Sequence, residues 1–185
     1  DQFCRYDNTR IQVEESENQV TVTYRYGVLV HPETETRVTY TVGADGRIQT
    51  EVHFYGKEGL PQLPLFGMRF RLLPDVSRFI YYGYGPEESY PDRKHGVRLG
   101  IFDGTPEENM ASYLIPQECG NRSGVRWMKI LDAQGNGLKF TAVGRPLDMN
   151  VLPYTALELE QALHREELPL SHNTIVTVLG CLLYT

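Results

Sequence analysis

The sequence predicts an all-β sandwich, on three observations. Apolar and polar residues alternate with period two through most of the first half, turn chemistry separates the alternating segments, and the helical signals are too short to build a core. In order, residues 19–26 alternate cleanly, which places Val20, Val22, Tyr24 and Tyr26 on one face of a strand. Residues 37–42 repeat the pattern, and Gly43-Ala44-Asp45-Gly46 supplies a turn into residues 47–55. Three antiparallel strands in a meander follow. The prolines of residues 59–64 donate no ladder hydrogen bond, so that stretch is a connector or an edge.

Strand character resumes at residues 66–73 and 79–82, before a long loop from Gly83 to Gly96. It returns at 97–102 and at 125–131, where Gln134-Gly135-Asn136-Gly137 turns the chain into a hairpin partner at 138–143. Thr105-Pro106-Glu107-Glu108 carries an N-cap, a proline at the first position and acids in the first turn, which predicts a helix. Thr155-Ala156-Leu157-Glu158 is a capping box that opens a second helix through about His164. Neither helix is long enough to carry the fold. Ten to twelve strands of this kind close into two packed layers. With no repeat or charge block to divide the chain, residues 1–185 are expected to form one domain.

The 185 residues are 41% apolar and 23% charged, a globular composition. The balance of 18 Lys+Arg against 24 Asp+Glu gives a net charge of −6, which disfavours a nucleic-acid partner because phosphate neutralisation needs clustered cations. The longest apolar stretch, residues 177–184, is far below the roughly 20 residues a membrane helix needs. Cys4, Cys119 and Cys181 are odd in number and far apart, so they make neither a disulfide framework nor a zinc knuckle and read as buried thiols.

The acidic pairs Glu87-Glu88, Glu107-Glu108 and Glu166-Glu167 are expected on solvated surface, because adjacency in sequence does not make two carboxylates converge across a cleft. His31, His53, His95, His164 and His172 never fall at metal-ligand spacing, and no metal or cofactor is expected in the chain. Nucleophile-elbow and phosphate-loop motifs are missing as well. What remains is a concentration of aromatic and polar side chains in two loops. Tyr81, Tyr82, Tyr84 and Tyr90 crowd beside Asp92, Arg93 and Lys94, while residues 116–122 mix amide, carboxylate and guanidinium groups. Rings that stack on sugar C–H faces and planar groups that chelate hydroxyls suit carbohydrate recognition. The structural alternative is that Asp and Arg in a long loop bond each other and the backbone to hold it shut.

Those loops carry a resemblance. Residues 83–93 resemble the G-x-G-P-x-E-x-Y-P-D-R stretch in the last domain of the large β-galactosidases of glycoside hydrolase family two. Residues 116–127 are similar to its P-Q-E-N-G-N-R-x-x-V-R-W, with Cys119 in place of the usual Asn. Leu65-Phe66-Gly67-Met68 and the run from Tyr154 to His164 add support, and the order agrees over about residues 60 to 178. The resemblance implies a galactose mutarotase-like antiparallel super-sandwich that closes the rim of an active site formed mainly on a separate TIM barrel. It implies that the catalytic glutamates, and any Mg or Na ions, lie in other domains of the parent. The expected partners are that barrel and galactosides, with no membrane partner. The rim candidates are Tyr90, Asp92, Arg93, Gln117, Glu118, Asn121 and Arg122, with Asp92 and Arg93 expected to be structural. The family's R-A-P-x-D-N-D entry segment and its closing G-x-G-G-D-D-S-W element have no match, so the chain is expected to be a truncated piece of that domain. Two other readings stay open. One is a carbohydrate-binding module. The other is an aldose 1-epimerase-like enzyme with Glu118 as base, for which His95 is the sole histidine near the motif loops.

Overall fold

A computed structural model describes residues 4–6, 10–28, 31–73 and 75–182. The chain forms two compact units, residues 1–62 and 63–185.

The first unit is one antiparallel sheet of β1 (Cys4–Tyr6), β2 (Gln12–Ser16), β3 (Gln19–Val28), β4 (His31–Gly43) and β5 (Ile48–Tyr55). The strand order is β1-β3-β4-β5, with β2 also pairing β3, and the expected meander is β3-β4-β5. Its register sets Tyr24 opposite Val38 and Val38 opposite Val52, so the alternating apolar residues share a face as the period requires. The opposite face is polar. Thr21 and Thr41 share a hydroxyl hydrogen bond of 3.2 Å, Thr23 and Thr39 one of 3.1 Å, and Glu35 accepts from both Arg25 and Arg37. Gly46, with φ of 80°, turns β4 into β5, and the Arg47 amide donates to Asp45 Oδ1 at 3.0 Å.

The second unit contains β6 (Leu65–Leu72), β7 (Val76–Gly85), β8 (Arg98–Gly104), β9 (Arg122–Val125), β10 (Trp127–Asp132), β11 (Gly137–Thr141), β12 (Leu147–Leu152), α1 (Ala156–Gln161), a 3₁₀ turn at Arg165–Glu167, and β13 (Thr174–Leu182). They form two four-stranded antiparallel sheets, β11-β10-β7-β8 and β6-β13-β12-β9. The sheets face each other across one apolar core. Phe79, Tyr81, Met128 and Ile130 enter it from the first sheet, and Val125, Met149, Val151 and Val176 from the second. Each is buried almost completely, and full burial of such side chains stabilises by about 1.5–3 kcal/mol apiece. The all-β sandwich is the observed fold.

Four details differ from the sequence expectation. Residues 125–131 are two strands, because the inward parity slips between Val125 and Met128 and the chain changes sheets at Arg126. The helix expected at Thr105 is a single turn: Asn109 N donates to Thr105 O at 3.0 Å, and the Asn109 side chain then reaches away to Gly120 O and Val151 O. The Thr155 capping box is present, but α1 stops at Gln161. There Glu167 accepts from the amides of Leu163 and His164 at 2.8 and 3.3 Å and starts the 3₁₀ turn. A strand that the sequence reading passed over, β12, lies between Pro146 and Pro153.

Candidate functional site

The two motif loops meet on Glu88. Its carboxylate accepts hydrogen bonds from the Tyr113 hydroxyl, from Gly120 N at 2.8 Å, from Tyr90 Oη at 3.2 Å and from Arg93 Nη2 at 2.5 Å. Arg93 Nη2 also donates to Tyr113 Oη at 2.8 Å. Beside this clasp the backbones are laced together, with Ser89 N donating to Asn121 O at 2.8 Å and Ser123 N to Ser89 Oγ at 3.0 Å. Gly120 has φ of 72°, and a Cβ there would lie 2.5 Å from Asn109 O, so this motif position admits only glycine.

Burial alone would raise the Glu88 pKa. The Tyr113 hydroxyl, the Gly120 amide, the Arg93 charge and the Tyr90 hydroxyl outweigh it and hold the carboxyl below its ordinary range. Glu88 was expected on solvated surface with Glu87, and the structure corrects this. Glu87 is exposed, while Glu88 turns inward to satisfy four donors. Its signal was the E of the P-x-E-x-Y-P-D-R match itself, not its acidic neighbour.

The candidate residues divide into two groups. Tyr90 is buried, with its ring under the Arg93 guanidinium at 5.0 Å and its neighbour Leu179 packed against it. Asn121 is buried and donates to Ser89 O at 2.7 Å. Arg122 is 9% exposed, donates Nη2 to Asn109 Oδ1 at 2.5 Å and lies over the Tyr81 ring, with Nε and Nη1 buried and unpaired. Tyr90, Arg93, Asn121 and Arg122 therefore belong to one bonded neighbourhood. Asp92 and Gln117 are exposed and Glu118 is half-buried, and the clasp does not recruit them. The buried thiol of Cys119 has its pKa raised, chiefly by burial, and its sulfur accepts from Ala111 N at 3.4 Å. The side chains of Cys4, Cys181 and His31 lie outside the described residues.

Among the described residues, four carboxylates have shifted pKa values, and each is bonded to a structural partner. Glu35 is lowered because Arg37 and Arg25 outweigh its burial, Glu158 is lowered by its helix cap on Thr155, and Glu88 is lowered in the clasp. Asp148 is raised by burial, against the pull of the Gly124 amide and Ser123 hydroxyl. A glycosidic general acid must keep its proton near neutrality and face a second carboxylate across the scissile bond. Glu88, ionised and saturated with donors, is built to hold loops together. Among the described residues, no group of three or more His, Cys, Asp and Glu side chains could hold a metal ion, and no helix is long and apolar enough to cross a membrane.

Comparison with known proteins agrees with the motifs. Residues 2–181 match the family model for the β-galactosidase small chain. A β-galactosidase small subunit of Latilactobacillus sakei is 39% identical over 94% of this chain and 57% of its own length. A β-galactosidase of Halalkalibacterium halodurans is 42% identical over 92% of this chain, and one of Streptococcus thermophilus 38% identical over 96%; in both, the match covers 17% of the relative. The chain thus spans between about a sixth and just over half of these relatives. It belongs to the β-galactosidase small-chain family.

Proposed function

We propose that this chain is the non-catalytic C-terminal part of a β-galactosidase, residues 1–185 belonging to its C-terminal β-sandwich domain. In this role it buttresses the catalytic barrel and shapes the rim of the galactose-binding site, while the parent hydrolyses terminal non-reducing β-D-galactose residues. Its partners are the barrel and other domains of the parent, and galactosides reach it at the rim. The observation that carries the reading is the Glu88 clasp: the two family-signature loops are fixed to each other by a carboxylate committed to positioning rather than to proton transfer. A rim must hold its polar groups within a fraction of an ångström to orient a sugar, and such a clasp supplies that rigidity. Gln117 and Asp92, exposed in the same two loops, are the groups left to meet a ligand, and Glu118 is half-buried.

The test is turnover of a chromogenic β-galactoside by the purified chain, together with calorimetric titration of galactose and lactose. The reading predicts no turnover at any protein concentration and negligible sugar binding by the chain alone. Turnover that a point substitution in the chain abolishes would refute it, and millimolar or tighter sugar binding would favour an autonomous carbohydrate-binding module.

A further inference from the structure

The outward face of the β11-β10-β7-β8 sheet carries an aromatic and apolar patch that the core does not use. Strand register sets Trp127 opposite Tyr82 and Tyr82 opposite Ile101, with Leu99 opposite Tyr84 one pair further along. Ile101 is 65%, Leu99 41% and Tyr84 39% exposed. The Trp127 and Tyr82 rings sit 6.4 Å apart. Cations frame the patch. Arg126 lies over Tyr82 at 5.2 Å, and Lys129 and Lys139 lie 5.9 and 5.8 Å from the centre of the Trp127 ring. Arg78 occupies the same face by register, and Asp103 is the acid set among them.

We infer that this face is a docking surface for an apolar protein patch rimmed by carboxylates, carried by the remainder of the parent β-galactosidase; the inference rests on the function proposed above. Half-buried Tyr82, Trp127 and Arg126 bordered by exposed Tyr84, Leu99 and Ile101 have the composition of binding hot spots. Charge selects the occupant. A second copy of this chain packed through a two-fold axis would set four cations against four cations. A sugar stacking on Trp127 would have to displace the lysines already over its ring. These cations lie together on a chain of net charge −6, so they attract a carboxylate-rimmed partner to this sheet. The two signature motifs meet here too, Tyr84 from one and Arg126 and Trp127 from the other.

The experiment co-expresses this chain, tagged, with the rest of the β-galactosidase as a separate chain, and measures their association by biolayer interferometry at low and high salt. The Lys129→Glu/Lys139→Glu pair and Ile101→Asp, all at exposed positions, should each weaken association by about ten-fold or more, the charge variant more at low salt than at high. Lys57→Glu, exposed in the other unit, should leave it unchanged. Unchanged affinity in both face variants while the wild type associates would overturn the docking surface and leave the proposed function standing. A wild type that fails to associate at all would overturn both. Face variants that associate normally but lose binding to lactose or galactan would reassign the face to carbohydrate.

Discussion

The five-stranded sheet of residues 4–55 and the sandwich of residues 65–182 share one sequence pattern but differ in what covers it. In the sandwich, alternating residues of two sheets face each other, and Phe79, Tyr81, Met128 and Val176 lose almost all their exposure. In the sheet, Val38 at the centre is 7% exposed, while Val20, Val42 and Ile48 on the same face keep 37%, 41% and 63%. Alternation decides which side chains share a face. Whether that face becomes a dry core depends on a second layer, which no single strand encodes.

Substitutions along this contrast should rank accordingly. Met128→Ala, in the dry core, should cost the most, about 2–5 kcal/mol of unfolding free energy measured by denaturant titration. Glu88→Ala should come next at about 2 kcal/mol, because it strands the donors of Tyr90, Arg93, Tyr113 and Gly120, and it should open residues 86–96 to limited proteolysis. The pH dependence sharpens that point. The folded pKa of Glu88 lies below its ordinary value of 4.5, so its stabilisation is present in full above that pH and is lost as pH falls through the folded pKa. Glu35 and Glu158 add to the same acid slope, and Asp148, whose pKa is raised, opposes it. Thermal melting below about pH 4.5 should therefore show a shallower loss in Glu88→Gln than in the parent. On the polar face of the other sheet, Glu35→Gln should cost about 0.5 kcal/mol or less, because its partners are partly exposed and salt screens them. A Glu35 effect as large as that of Met128 would break the contrast.

Much of this was legible in the sequence, for reasons that differ by element. The β3-β4-β5 meander followed from alternation and a Gly-rich turn, both local signals. The division of residues 122–132 into two strands needed the parity slip at Arg126, which a search for uninterrupted alternation reads through. β12 hides a period-two pattern between two prolines because Asn150 is buried and donates to Cys119 O at 3.3 Å, so its polar residues do not mark a solvent face. The helix expected at Thr105 had its cap, but tertiary hydrogen bonds of Asn109 took the chain elsewhere. At the site, the motif located both loops and named Tyr90, Arg93, Asn121 and Arg122. It could not say that Glu88 joins the loops, because convergence of residues 88 and 120 is a property of the packed sandwich. The Arg93 partner is likewise Glu88, five residues back, while Asp92 beside it stays exposed.

The role proposed for this chain is to complete a β-galactosidase without performing its chemistry. It is tested most directly by titrating the chain into a fixed amount of the parent's remaining portion and following hydrolysis of a chromogenic β-galactoside. The chain alone should give no turnover, and activity should rise with added chain and saturate at one-to-one stoichiometry. Turnover by the chain alone, or full activity of the remaining portion without it, would overturn that role.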